Sequence, residues 1–363
     1  MLNYYGDLPV VYLEGTPAER GIHHGRTLGQ HINVCLKIEF EIHSIKDKEW
    51  DTVLSRVEPY RKYLEREHPV AYQELEGIAR GAEVPLNAII LINESEDEFW
   101  NGSCSTVVAL PNASRDGHVL LGKNRDGPYL RLKTDALFVV SPATGPRYIT
   151  MAGVGTLARD GINECGIVML GNGLGDPDVM RVQGVSFAVL RKYLLNQITI
   201  DGILTTLATL PRKSSFNYTL ASEAGEALAI EATVKSLYRV NPVNGVLIHT
   251  NHFIAAGAAN IPEKEVPWGA RSKFRLERLR SILESKAGDL TIVDIQKALA
   301  DHLEHPGSVC SHRVELGQPG GTLNSYCFDL SEKIFYIANG PPCCTPYIPI
   351  PLSDIGLDLI QCG

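Results

Sequence analysis

The order of hydrophobic periods predicts an α+β protein, with a helical first part, a long strand-rich body and a few helices set among the strands. Three observations carry this. Across residues 16–95 apolar side chains recur three and four apart. From Cys104 onward the pattern shortens to that of strands, punctuated by Pro, Gly, Asn and Asp. Helical stretches then return at 186–197, 271–285 and 292–302. Strands in runs with helices in pairs predict two sheets packed together and covered by helices on the outside.

The first helix opens with Thr16-Pro17-Ala18-Glu19, a capping box with proline at the first helical position. The Thr16 hydroxyl and the Glu19 carboxylate can each satisfy a free backbone N–H there. Val53, Val57, Tyr60 and Tyr63 carry the apolar stripe onward; it resumes over 70–82, breaks at Val84-Pro85, and leaves a short helix at 86–93. Residues 99–104 separate this leader from the body. Strands are expected at 105–110, 118–123, 136–140, 148–152, 166–170, 218–221, 227–232 and 245–250, with a late hairpin from 325–330 and 333–338.

Composition narrows the class. The chain has 363 residues, 44% hydrophobic and 21% charged, enough for a substantial core. A net charge of −8 without a Lys/Arg stripe argues against nucleic-acid and anionic-membrane partners. The longest apolar runs, such as 88–92, are too short to span a bilayer. No basic start or apolar signal core follows Met1, so the expectation is a cytoplasmic protein. Eight cysteines without a Cys-x-x-Cys pair then read mostly as free thiols, many of them buried. His302, His305 and His312 lie close in sequence, but there is no His-Glu-x-x-His and few cysteines stand nearby. They read as scattered histidines, and no metal is expected.

Cys104 opens the first strand of the body, just after Asn101-Gly102-Ser103. A lone Cys there is ordinarily structural, but its position gives it a chemistry. A thiol following a Gly-containing turn can attack the preceding carbonyl. The resulting thioester, once hydrolysed, frees an α-amine that titrates near pH 8 and can act as general base beside the thiol. Such a site needs a charge partner for the amine, oxyanion donors, and a basic residue near the sulfur. Gly122-Lys123-Asn124-Arg125-Asp126 ends the next strand with both signs of charge, which alone is an ordinary polar strand exit. Asn251 in His249-Thr250-Asn251-His252 and Asn172 in Gly171-Asn172-Gly173 alone read as turn formers.

Together these segments resemble the acyl-coenzyme A:6-aminopenicillanic acid acyltransferase family over nearly the whole chain. Glu14-Gly15-Thr16-Pro17 and Gly21-Ile22-His23-His24-Gly25 are similar to its opening, and Glu74-Leu75-Glu76-Gly77-Ile78-Ala79 with Gly81-Ala82 to its leader. Cys104-Ser105-Thr106 resembles the start of its mature β-subunit, Asn124-Arg125-Asp126 its Asn-x-Asp, and Gly320-Gly321-Thr322-Leu323-Asn324 its late Gly-Ala-Thr-Leu stretch. His249-Thr250-Asn251-His252 matches its His-Thr-Asn-His.

The resemblance implies a four-layer αββα N-terminal-nucleophile hydrolase fold. It also implies autocatalytic cleavage between Ser103 and Cys104, giving a leader chain 1–103 that stays associated with a catalytic chain 104–363. By position, Cys104 becomes the nucleophile, Asp126 the partner of its α-amine, and Asn251 the oxyanion donor. Lys123 is the basic residue three before the Asp, and Asn172 a second oxyanion contributor. The implied activity is amide-bond hydrolysis or acyl transfer on a small N-acylated amine or peptide. No cofactor is required, a coenzyme A thioester being a candidate acyl donor for which no phosphate-cradling Gly loop argues. The family's usual Gly-Cys junction is here Ser103-Cys104, where a side chain restricts the backbone. That leaves room for an unprocessed scaffold or binding protein keeping the same fold.

Overall fold

Strand alternation sorts the body into two sheets that turn apolar faces toward each other. The computed structural model describes residues 2–43, 49–99, 104–175, 184–261, 269–317 and 320–362. The chain opens with β1 (Asn3–Tyr5) and β2 (Leu8–Gly15), then α1 (Pro17–His43), α2 (Trp50–Arg56), α3 (Glu58–Glu67), α4 (Pro69–Ala82) and α5 (Leu86–Phe99). Next come β3 (Ser105–Ala109), β4 (Leu120–Gly127), β5 (Asp135–Pro142), β6 (Tyr148–Gly153), β7 (Asp160–Asn163) and β8 (Ile167–Gly173). Helices α6 (Phe187–Leu195) and α7 (Ile200–Thr209) precede β9 (Phe216–Ser222), β10 (Ala227–Ala232), β11 (Leu237–Val240) and β12 (Val246–His249). The chain continues through α8 (Gly269–Glu284), α9 (Ile292–Leu299), β13 (Gly321–Asp329), β14 (Ile334–Ala338) and β15 (Ile348–Pro351).

The larger sheet runs β1-β2-β5-β6-β7-β8-β9-β10-β11 and the smaller β12-β3-β4-β13-β14-β15. Three apolar layers stack on them. Leu28, Ile32, Leu75 and Ile78 of the early helices pack on Phe138 and Val140. Between the sheets, Val108, Leu121, Tyr326 and Phe328 meet Leu137, Val139, Ile149 and Val168. On the far side Val107, Leu120 and Ile248 pack against Leu279, Ile295 and Leu299. The order is helices, sheet, sheet, helices: the four-layer αββα arrangement. It follows from β-strand geometry, because residues one apart face opposite layers and both faces of each sheet are covered.

Two strands in the leader were not foreseen, and β2 pairs parallel with β5. The stretch before Cys104 therefore forms part of the larger sheet. Helices α1 and α4 cross at unusually close range. A Cβ on Gly21 would fall 2.1 Å from the Glu74 carbonyl oxygen, and one on Gly81 2.3 Å from that of Ile22. Only glycine permits this contact, which gives the Gly21/Gly25 and Gly77/Gly81 spacings a packing purpose. Buried Arg20 and Lys192 reach Glu74 across the same junction, at 2.5 and 2.6 Å.

The cysteine expectation needs one correction. Cys165 and Cys362 form a disulfide across a sequence separation of 197, while Cys35, Cys104, Cys310, Cys327, Cys343 and Cys344 are free. Sequence spacing carried no signal for that pair, because the approach of β7's exit to the chain's tail is tertiary. Among the described residues no helix is long and apolar enough to cross a membrane.

Candidate active site

Cys104 lies immediately ahead of β3 and is 1% exposed. The antiparallel register sets Thr106 opposite both Lys123 of β4 and His249 of β12. Cys104, Lys123 and the residues just beyond His249 therefore gather at one end of the smaller sheet. Thr106 donates to Asn172 Oδ1 on β8 at 3.0 Å, so this alternate face of β3 looks into the space between the sheets. Cys104, two residues earlier, shares that face.

Lys123 was expected at a strand exit. Instead β4 runs through Gly127 and the whole Lys123–Asp126 segment is buried. Such charges stay inside because they find partners. The Lys123 ammonium donates to Asp160 on β7 and to the Gly171 carbonyl on β8. Asp160 also accepts from Arg191 at 2.9 Å, from the Gly171 N–H at 2.8 Å and from the Tyr326 hydroxyl. Burial alone would raise the Asp160 pKa, but Lys123 and Arg191 outweigh it and hold the group down to about 2. Burial pulls the Lys123 ammonium below its ordinary value, with Asp160 and Cys104 opposing. The carboxylate's ionised state governs the pair, because two cations and two further donors converge on it.

Asp126 faces the opposite layer. Its Oδ1 accepts from Thr322 at 2.7 Å, while buried Oδ2 has no hydrogen-bond partner among the described residues. Burial raises its pKa, and the charges of Arg275, Arg313 and Arg125 act against that rise. Thus Lys123 and Asp126, three apart in sequence, serve different faces of one strand.

Arg275 on α8 joins these parts, and no motif in the sequence singled it out. Its Nη1 donates to the Cys104 carbonyl and to Ser105 Oγ, both at 2.7 Å, and Nη2 donates to Asn251 Oδ1 at 3.0 Å. A planar guanidinium suits this three-way bridge in a way that a lysine would not. Asn251 Nδ2 donates to the Gly173 carbonyl at 3.0 Å. Its amide is therefore clamped at both ends, with one N–H still to spare. The loop is held in turn: His249 Nε2 lies 2.9 Å from Glu231 Oε1, which also accepts from the Ile254 N–H at 2.6 Å. Ser272 Oγ accepts from the Asn251 N–H at 2.8 Å. The flanking His249 and the Ser272 hydroxyl thus act as struts for Asn251.

Asn172 is a buried β8 residue rather than a turn former. Its Oδ1 takes Thr106 and Asn217, leaving buried Nδ2 without a partner among the described residues. Ser103 lies outside the described residues. Asp160, Arg191, Tyr326 and Arg275 were missed because each belongs to an unremarkable local sequence. A buried Asp at the start of a short strand leaves no periodic trace.

Stacked sheets between helical layers are the arrangement of the N-terminal-nucleophile hydrolase fold, and the chain is an enzyme of the class that acts on amide bonds. The particular family follows from sequence. The acyl-coenzyme A:6-aminopenicillanic acid acyl-transferase family matches residues 113–342, and the chain belongs to that family. The acyl-coenzyme A:6-aminopenicillanic-acid-acyltransferase 40 kDa form of Emericella nidulans is 24% identical over 330 residues, covering 88% of this chain and 89% of that protein. Among solved structures, a mutant conjugated bile acid hydrolase from Clostridium perfringens is 14% identical with a TM-score of 0.45, covering 70% of this chain and 94% of its own. The Caenorhabditis elegans ortholog of N-acylethanolamine-hydrolyzing acid amidase is 12% identical with a TM-score of 0.47, covering 63% and 93%.

Proposed function

We propose that this chain is an autoproteolytic cysteine enzyme that cleaves or forms an amide bond of a small N-acylated amine or peptide through a thioester on Cys104. The observation that carries the reading is a pair of buried polar atoms left unpartnered among the described residues, Asp126 Oδ2 and Asn172 Nδ2. One is an acceptor suited to an ammonium and the other a donor suited to an oxyanion. An orphaned buried polar atom is costly, which favours a role outside the resting hydrogen-bond pattern.

In the processing step the Cys104 sulfur attacks the Ser103 carbonyl carbon. The carbon–nitrogen bond breaks, the thiol proton passes to the departing nitrogen, and a thioester joins the two parts. Water then hydrolyses it, leaving a carboxylate on Ser103 and a free thiol and α-amine on Cys104. In turnover the amine takes the thiol proton, and the sulfur attacks the substrate carbonyl. Asn251 and Asn172 donate to the oxyanion, and the leaving amine departs with the proton. Asp126 orients the amine, while Lys123 keeps positive charge near the sulfur. Arg275 fixes the Cys104 carbonyl and Asn251 relative to each other. Water attacking the acyl-enzyme makes the chain an amidohydrolase; an amine makes it an acyltransferase, and a coenzyme A thioester can load the same sulfur.

The test is intact mass under denaturing conditions for wild type and Cys104→Ala. Wild type is expected as two chains, 1–103 and 104–363, and the variant as one. A wild type that stays whole, with no acyl group released from N-acylated amines, overturns the reading in favour of an unprocessed scaffold.

A further inference from the structure

The histidines read as scattered are gathered in the fold, joined by Cys310 from the same segment and by Cys343 from the loop after β14. We propose that His302, Cys310, His312 and Cys343 form a zinc site that fastens the loop supporting Asp126. One ligand atom from each lies within 4.8 Å of all the others. His312 Nε2 stands 3.2 Å from His302 Nε2, 3.5 Å from Cys310 Sγ and 3.4 Å from Cys343 Sγ. A tetrahedral ion with nitrogen at about 2.0 Å and sulfur at about 2.3 Å has N–N edges of roughly 3.3 Å and N–S edges of roughly 3.5 Å. All three edges meeting at His312 agree with that figure.

Hydrogen bonding does not account for the same geometry. A single imidazole nitrogen either donates one hydrogen or accepts at one lone pair, yet three ligand-type atoms crowd His312 Nε2. A cation among the four atoms resolves the crowding. Two thiolates and two imidazoles select zinc over magnesium or calcium, which prefer oxygen. On binding, the two thiols release two protons and the site is left neutral. His302 and Cys343 are exposed, which gives the ion a path in, while Cys310 is buried. Glu315 lies 3.5 Å from His305 Nε2, and both group with His312, the kind of surround that orients ligating imidazoles.

The site draws together the segment after α9, the loop before β13 and the loop after β14. That middle loop touches Asp126 through a short relay: the Ser311 N–H donates to Thr322 Oγ1 at 2.9 Å, and Thr322 donates to Asp126. Asn124, on the same face of β4 as Asp126, donates to the Val309 carbonyl at 3.0 Å. An ion at the loop's outer edge would therefore limit the motion of the Asp126 support. The binding claim itself is independent of any role for Cys104.

The experiment uses the full chain purified with a thiol reductant, stripped with chelator and titrated with cobalt(II), then zinc. Cobalt is expected to give a thiolate-to-metal charge-transfer band and tetrahedral d–d bands saturating at one equivalent, with zinc displacing it. The Cys310→Ser/Cys343→Ser pair should weaken zinc binding by about 100-fold or more, and Cys104→Ser should leave it unchanged. No charge-transfer band in wild type overturns the proposal without recourse to any variant. So does a band that survives in the double variant, or a Cys310–Cys343 disulfide mapped in the reduced preparation.

Discussion

Asp160→Asn removes the negative charge from the most heavily paired carboxylate near Cys104 while keeping its shape. In the native protein the group is held near pKa 2 instead of 3.8 by Lys123 and Arg191 against the opposing effect of burial. A depression of that size corresponds to on the order of 2 kcal/mol at neutral pH. Because the folded pKa lies below the unfolded one, this stabilisation is complete above about pH 4 and is lost as pH falls toward 2. Substitution costs more than protonation alone, because Lys123 and Arg191 remain buried without their anion. Breaking such a pair from one side costs about 3–5 kcal/mol. The assay is denaturant unfolding at pH 7 in a Cys104→Ala background, which on the proposed mechanism keeps the chain in one piece. Adding Lys123→Met to Asp160→Asn removes one stranded cation and should recover about 1 kcal/mol or more. The reasoning is refuted if Asp160→Asn lies within about 1 kcal/mol of its parent, or if the double variant is merely additive.

Two further outcomes are expected. Arg275→Lys keeps the charge but loses the three-way bridge, so chain cleavage and acyl release should each slow by about 10²–10³-fold with the far-ultraviolet spectrum unchanged; timed denaturing mass spectra and a product assay check this. His24, buried with its ring tilted against Phe138, accepts from the Gly155 N–H at 3.0 Å, and burial pushes its pKa down to about 4. Its neutral form is favoured on folding, so its contribution is complete above pH 6.5 and falls by about 3 kcal/mol between there and pH 4; unfolding midpoints across that range should drop more steeply in wild type than in His24→Gln.

How much of the site was legible depended on whether its residues came as runs. Cys104, Asp126 and Asn251 sit in short segments whose order along the chain carries a resemblance. Their partners do not. Arg275 is one arginine among several on α8, and nothing marks it as the one that reaches the Cys104 carbonyl. Lys123 read as a strand exit because a charged run at the end of an apolar one usually meets water. Here the strand continued inward, since Asp160 and the Gly171 carbonyl, supplied by the other sheet, were waiting for the ammonium. The histidine cluster was dismissed for want of neighbouring cysteines; Cys310 stands only two residues before His312, and Cys343 joined them only when the loop after β14 folded onto that segment.

Period and turn chemistry, both local properties, were enough to establish a helical opening, a strand-rich body and a layered α+β architecture, while the order of short motifs carried the family likeness. They also placed most strands, because a two-residue period with both faces covered admits few alternatives. Tertiary structure alone decided which face each charge serves. Neighbouring β4 residues point to opposite layers, so Lys123 goes to the inter-sheet space and Asp126 to the helices. It also decided which distant side chains meet there, because pairing energies between buried groups depend on positions in space and leave no period in the chain.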